Sequence, residues 1–235
     1  MSISDYLLAP SDDSIPLKEI HLSHENREAV NQLLKEYRHV SVLTGYGLPV
    51  DNKIFLFGHT GCGKTTTAKA IAKELNKKIL IVDLSNIVSS RLGETAKNMS
   101  DIFRKAIREK AVLFIDEFDA LARMREQEDK DSSEMKRLVN SIIQLIDELP
   151  NDTLLIAATN HSAAIDTAIL RRFQVKLRYD APDQEHLDDY YDALLQRFPE
   201  EYQEMERKYN ISYAEAKDFT FKEIKKRIIN DLEND

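Results

Sequence analysis

Between residues 53 and 177, short apolar runs alternate with stretches whose apolar positions recur every three or four residues. Lys53-Ile54-Phe55-Leu56-Phe57, Ile79-Leu80-Ile81-Val82, Val112-Leu113-Phe114-Ile115, Thr153-Leu154-Leu155-Ile156-Ala157 and Val175-Lys176-Leu177 read as strands. Ala68, Ile71, Ala72 and Leu75 mark one face of a helix, as do Met99, Ile102, Phe103 and Ala106, and then Met135, Leu138, Val139, Ile142 and Leu149. Strands that are apolar throughout, separated by amphipathic helices, predict an α/β fold with a parallel sheet covered on both faces.

The flanks differ. Residues 1–16 contain Pro10, Pro16 and Ser11-Asp12-Asp13-Ser14 without sustained periodicity, which predicts an extended arm. From Ser23, a predicted N-cap, Val30, Leu33, Leu34 and Tyr37 follow one helical face ahead of the first strand. Beyond Pro182 the pattern is helical and strongly charged, with Leu187, Tyr190, Tyr191, Leu194 and Leu195 as an apolar stripe. The expected organisation is an arm (1–16), an α/β domain (17–180) and a small all-helical domain (181–235). Arg123 to Glu134, nearly all charged or polar, is expected to be a loop.

Composition narrows the classes of function. The 33 basic and 41 acidic residues give a net charge of −8, which repels nucleic-acid phosphates and anionic membranes as a whole. One cysteine makes no internal disulfide, and Met1-Ser2-Ile3-Ser4-Asp5 lacks the order of a secretory signal, so a cytoplasmic location is expected. No apolar run approaches the roughly 20 residues that span a bilayer, and no membrane insertion is expected.

The chemistry begins where the first predicted strand ends. Gly58-His59-Thr60-Gly61-Cys62-Gly63-Lys64-Thr65 fits G-x-x-x-x-G-K-[ST] between a strand and a helix. Small residues let successive backbone N–H groups converge on phosphates, and the helix N-terminus adds partial positive charge. Lys64 would reach the β- and γ-phosphates of ATP, and Thr65 would ligate Mg²⁺. Cys62 reads either as a small filler or as a thiol activated by neighbouring N–H groups. The third strand delivers Asp116 and Glu117 at its C-terminal end, where open α/β sheets place their ligands. Asp116 would hold Mg²⁺, and Glu117 would serve as general base for the attacking water. Asn160, at the end of the next strand, carries an amide that can both donate and accept there. Arg171 and Arg172 follow a helix starting near Asp166, and such guanidinium groups suit a phosphoryl transition state.

This ordered set, with Ala158-Thr159-Asn160 and Asp166-Thr167-Ala168-Ile169-Leu170-Arg171-Arg172-Phe173, resembles the AAA family of P-loop ATPases, in the branch of katanin, spastin and the proteasomal ATPases. It is closer still to stand-alone bacterial AAA ATPases, through Glu36-Tyr37-Arg38-His39, Asp116-Glu117-Phe118-Asp119-Ala120 and Glu134-Met135-Lys136-Arg137-Leu138-Val139-Asn140-Ser141. The resemblance implies five parallel strands followed by a helical lid, and ATP held with Mg²⁺ by His59 to Thr66. It implies adenine contacts at Ile20 and Leu22, with His21 between them. Asn160 becomes a γ-phosphate sensor, and Arg171 and Arg172 act in trans within a homo-oligomer, a hexameric ring. The implied partner is a protein, and a protease is suggested because such ATPases are often encoded beside one.

Two stretches depart from the family pattern. Arg91 and Leu92 occupy the pore-loop position where relatives that thread polypeptides carry an aromatic residue. Asp218 to Ile224 looks like the lid segment Gly-Phe-Ser-Gly-Ala-Asp-Ile, with Phe221 in place of glycine. The leading expectation is an ATPase that remodels a protein partner. The alternatives are a nucleic-acid-loading or regulatory ATPase, and a nucleotide-gated binding module with slow hydrolysis.

Overall fold

The computed structural model describes residues 7–8, 15–88, 92–127 and 132–234. In chain order the elements begin with β1 (Leu7–Leu8), α1 (His24–Arg38), α2 (Val40–Gly45), β2 (Lys53–Gly58), α3 (Lys64–Glu74), β3 (Ile79–Asp83), α4 (Leu84–Val88) and α5 (Leu92–Glu109). They continue with β4 (Val112–Asp116), α6 (Ala120–Gln127), α7 (Ser132–Asp147), β5 (Leu154–Thr159), α8 (Thr167–Leu170), β6 (Val175–Tyr179), α9 (Gln184–Leu195) and α10 (Tyr213–Asn234). The strands form one sheet in the order β1-β3-β4-β5-β2-β6.

The five predicted strands are the five parallel ones, β2 to β6. Burial follows their place in the sheet. Central β5 is buried at every position, whereas edge strand β6 alternates, with Leu177 and Tyr179 inside and Lys176 and Arg178 outside. At the other edge the arm adds an antiparallel strand, with Leu7 opposite Val82 and Leu8 opposite Ile81. The register of the parallel strands aligns Asp83 with Asp116 and Phe57 with Thr159, so the chain leaves β2, β3, β4 and β5 along one edge.

One core holds Phe55, Leu113 and Ile115 from the strands, Met99, Ile102, Phe103 and Ala106 from α5, and Leu138, Val139 and Ile142 from α7. Of the predicted helical faces, Ala68, Ile71 and Ala72, Met99, Ile102, Phe103 and Ala106, and Leu138, Val139 and Ile142 are buried, while Leu75 is half-buried. Ser23 caps α1, its hydroxyl accepting the Asn26 N–H at 3.2 Å. Near the functional edge, Phe55, Phe118 and Phe173 pack ring against ring, with centroids 5.3 to 6.4 Å apart. Phe118 follows Glu117 and Phe173 follows Arg172, so this aromatic cluster anchors the backbone beside both candidate residues. The expectation of a loop from Arg123 to Glu134 is corrected. Helix α6 continues to Gln127 and α7 begins at Ser132, because Leu121 and Leu138 carry the core stripe into both.

The chain divides into two compact units, Met1–Gly58 with Lys64–Arg178, and His59–Gly63 with Tyr179–Asp235. The second unit has its own core of Leu187, Tyr191, Leu195, Ala216 and Ile224. Tyr191 is wholly buried, and its hydroxyl donates to the Lys208 carbonyl at 3.0 Å. Arg207 braces the same corner through Asp188 at 2.8 Å and through Asp192.

Helix α10 starts at a capping box. The Ser212 hydroxyl accepts the Glu215 N–H at 3.3 Å, and the Glu215 carboxylate accepts the Ser212 N–H at 2.8 Å. Asp218 to Ile224, which the sequence resemblance aligns with the lid segment, therefore lie inside α10. Ser212 and Ala214, at the start of the helix, meet the glycine-rich loop. Among the described residues, no helix is long and apolar enough to cross a membrane.

Candidate nucleotide site

Of the glycine-rich loop, His59–Gly63 belong to the second unit and Gly58, Lys64 and Thr65 to the first. Gly61 and Gly63 have φ of 70° and 98°, a region that side chains rarely adopt. Within the second unit, the Gly61 carbonyl accepts the Ala214 N–H at 3.1 Å, and the His59 N–H donates to the Tyr179 carbonyl at 2.7 Å. A Cβ at Gly61 would lie 2.6 Å from the Ser212 Oγ. Cys62 is 3% exposed and its sulfur lies 3.5 Å from the Thr60 carbonyl, the environment of a small packed residue rather than an accessible thiol. His59 and Thr60 are exposed.

Within the first unit, Lys64 opens α3, is almost fully buried, and donates from Nζ to the Gly58 carbonyl at 2.8 Å. That bond sets the ammonium against the backbone at the start of the glycine-rich loop. The Thr65 hydroxyl donates to Asp116 Oδ2 at 2.9 Å, so the two expected Mg²⁺ residues meet. Thr66 follows on α3, partly exposed. Ile20 is buried beside the short 3₁₀ turn Leu17–Glu19, and Leu22 is partly exposed before α1. Arg27 holds this segment by donating to the Leu17 and Ile20 carbonyls.

Glu117 leaves β4 with φ of 52°, in the left-handed region where a non-glycine residue is strained, and its N–H donates to Asp116 Oδ1 at 3.0 Å. Its Oε1 accepts Asn160 Nδ2 at 3.4 Å, and its Oε2 accepts Arg123 Nη2 at 3.1 Å. Arg123, in α6, joins this cluster although the sequence reading missed it, because the charged stretch that it opens reads as a loop. The four-residue interval from Asp119 to Arg123 is the helical ion-pair spacing that could have found it.

Two observations fit a nucleotide with Mg²⁺. The Asn160 Oδ1 atom is buried without a hydrogen-bond partner, aligned by β5 to the edge that bears Glu117. Thr65 and Asp116 offer one hydroxyl and one carboxylate, the small donor set suited to a cation that keeps waters and takes phosphate oxygens. No group of three or more His, Cys, Asp or Glu among the described residues could hold a metal by itself.

The two arginines behave differently. Arg172 donates from Nη1 to the Ala168 carbonyl at 2.9 Å and pairs with Asp147 through Nε at 3.3 Å. The Arg171 side chain is exposed and makes no hydrogen bond or ion pair among the described residues. Arg91 of the predicted pore loop lies outside the described residues, and Leu92 begins α5 with its side chain undescribed.

The profile of the family described as ATPase family associated with various cellular activities (AAA) matches residues 54–181, more than half of the chain. The chain belongs to the AAA ATPase family. Relatives agree with this. The chain is 41% identical over 165 residues to the uncharacterized AAA family ATPase y4kL of Sinorhizobium fredii, covering 70% of this chain and 50% of that protein. It is 32% identical to the human ATPase family gene 2 protein homolog A, over 74% of this chain and 20% of that protein. It is 31% identical to the cell division cycle protein 48 homolog of Archaeoglobus fulgidus, over 74% and 24%. The alignments thus span half or less of these relatives. As an AAA protein, this chain carries its Gly58-to-Thr65 loop, Asp116-Glu117 and Asn160 within the matched segment.

Proposed function

We propose that the chain binds ATP with Mg²⁺ and hydrolyses it within a homo-oligomer, a ring of six by family resemblance, using hydrolysis to remodel a protein partner. The observation that carries this reading is the meeting of Glu117 with Asn160 on the sheet edge where Thr65 meets Asp116. Lys64 exchanges the Gly58 carbonyl for phosphate oxygens. Thr65 and Asp116 would hold Mg²⁺, which, when bound, neutralises charge on the β- and γ-phosphates. The Glu117 carboxylate accepts the proton of a water whose oxygen attacks the γ-phosphorus as the bond to the bridging oxygen breaks and ADP leaves. Asn160 orients that water, and Ile20 and Leu22 bracket adenine.

Arg171 fits the arginine given to a neighbouring subunit, since its exposed guanidinium makes no hydrogen bond or ion pair among the described residues, whereas Arg172 fixes the end of α8. Acidic residues outnumber basic ones two to one from Tyr179 onward, which disfavours nucleic acid as the partner.

Glu117→Gln tests the reading. ATP affinity should be retained while hydrolysis falls by roughly 10² to 10⁴, leaving an ATP-bound assembly suited to capturing the partner. Hydrolysis at the wild-type rate would sink it.

A further inference from the structure

We propose that Arg123 is a positioning residue that holds the Glu117 carboxylate in its reactive orientation through an anchor on buried Asp119. The inference rests on the reading of Glu117 as general base.

The anchor comes first. Asp119 is 1% exposed, and its Oδ1 accepts the Thr159 hydroxyl at 2.6 Å. The Thr159 oxygen in turn accepts the His161 N–H at 3.0 Å, so the carboxylate is tied to the backbone on both sides of Asn160. The other oxygen, Oδ2, is buried without a hydrogen bond, and Arg123 Nη1 lies 3.4 Å away as its ion-pair partner. A buried carboxylate stripped of water demands such a partner. The guanidinium is therefore fixed by the interior rather than left to wander on the surface.

Its other arm then has little choice of position. Nη2 meets Glu117 Oε2 at 3.1 Å, while Asn160 Nδ2 takes Oε1 at 3.4 Å. The planar fork of arginine makes this two-ended reach possible, and a lysine cannot reproduce it. Stability does not account for the contact, because Arg123 is half exposed and Glu117 is 36% exposed, and such surface pairs contribute about 0 to 1 kcal/mol. Orientation does. A base displaced by about 1 Å can lose roughly 10² in rate, and Glu117 otherwise carries a rotatable side chain on a left-handed backbone.

The test is steady-state phosphate release by the full chain. Arg123→Ala should lower kcat by roughly 10- to 100-fold with the KM for ATP within about twofold, and Arg123→Lys should restore only part of it. In a Glu117→Gln background, Arg123→Ala should produce no further loss, since the residue acts through the carboxylate.

Arg123→Ala strands the Asp119 charge, so Asp119→Asn with Arg123→Ala supplies a variant without that burden, and it should show the same loss. An unchanged or raised kcat in either variant overturns the proposal when Glu117→Gln is itself inactive, as does an undiminished Arg123→Ala effect in the Glu117→Gln background. Full activity of Glu117→Gln alone identifies failure of the underlying reading instead.

Discussion

Gly61→Ala offers the most direct measure of how the glycine-rich loop is held. Gly61 has φ of 70°, and an L-residue in that region costs about 1 to 2 kcal/mol. The new methyl would lie 2.6 Å from Ser212 Oγ, 2.9 Å from Ser212 Cβ and 3.1 Å from Ala214 Cβ. The hydroxyl can swing away only by releasing the Glu215 carboxylate, which it meets at 2.8 Å. The Cβ cannot swing at all, so backbone must move, and overpacking of this kind costs about 1 to 3 kcal/mol. The two contributions together predict a destabilisation of about 2 to 5 kcal/mol.

They can be separated. Ser212→Gly removes the two closest of the three atoms at a cost of a few tenths of a kcal/mol for the cap. It should therefore recover most of the steric share in the Gly61→Ala background and leave the backbone share. Ser212→Ala, which keeps the Cβ, should recover much less. Urea unfolding of the nucleotide-free chain, followed by far-UV circular dichroism, gives the four stabilities of the cycle. A coupling energy below about 0.5 kcal/mol would be that of independent sites, and would refute the contact. Relief by Phe221→Gly instead of Ser212→Gly would return the lid segment to the alignment at Asp218 to Ile224.

Two further outcomes are expected. Arg171→Ala should leave the melting temperature unchanged and ATP binding intact while lowering hydrolysis by roughly 10³ or more, with wild-type activity per subunit rising with protein concentration. Arg172→Ala should instead cost stability, by about 1 kcal/mol or less given its partly exposed pair with Asp147; equal effects of the two on melting would remove the distinction. Alkaline pH gives the second. Burial, and then the nearby Cys62, pushes the Tyr213 phenol up to about 12, so the folded chain keeps a proton that the unfolded chain releases near 10. The resulting stability is fully present below about pH 10 and is lost as the pH rises toward 12. Melting temperatures across that window should fall less steeply for Tyr213→Phe, and a parallel fall would contradict the assignment.

The strands were legible because burial on both faces leaves no room for polar residues, as β5 shows at each of its positions. The loop from Gly58 to Thr65 and the pair Asp116-Glu117 were legible because their chemistry is local to a strand end. What depends on distant pairing was not. The two leucines of β1 carry no period, and their partner is Ile81-Val82 more than 70 residues away. Asp119 reads as one more charge until Thr159 is found against it.

The start of α10 is the instructive case, because its signal was present. Ser212-Tyr213-Ala214-Glu215 is a capping-box pattern, but the aromatic run Phe219-Thr220-Phe221 offered a closer likeness to the family's lid segment. The physics favours the cap. Ser212 satisfies the orphan N–H of Glu215 at the helix start, and the same side chain forms the wall that a Gly61 Cβ would strike. One residue thus ends the preceding loop, begins the helix and penalises a side chain in the glycine-rich turn. It follows that the glycine at 61 and the cap at 212 constrain each other: enlarging the first demands shrinking the second, and no local reading of either segment reveals that requirement.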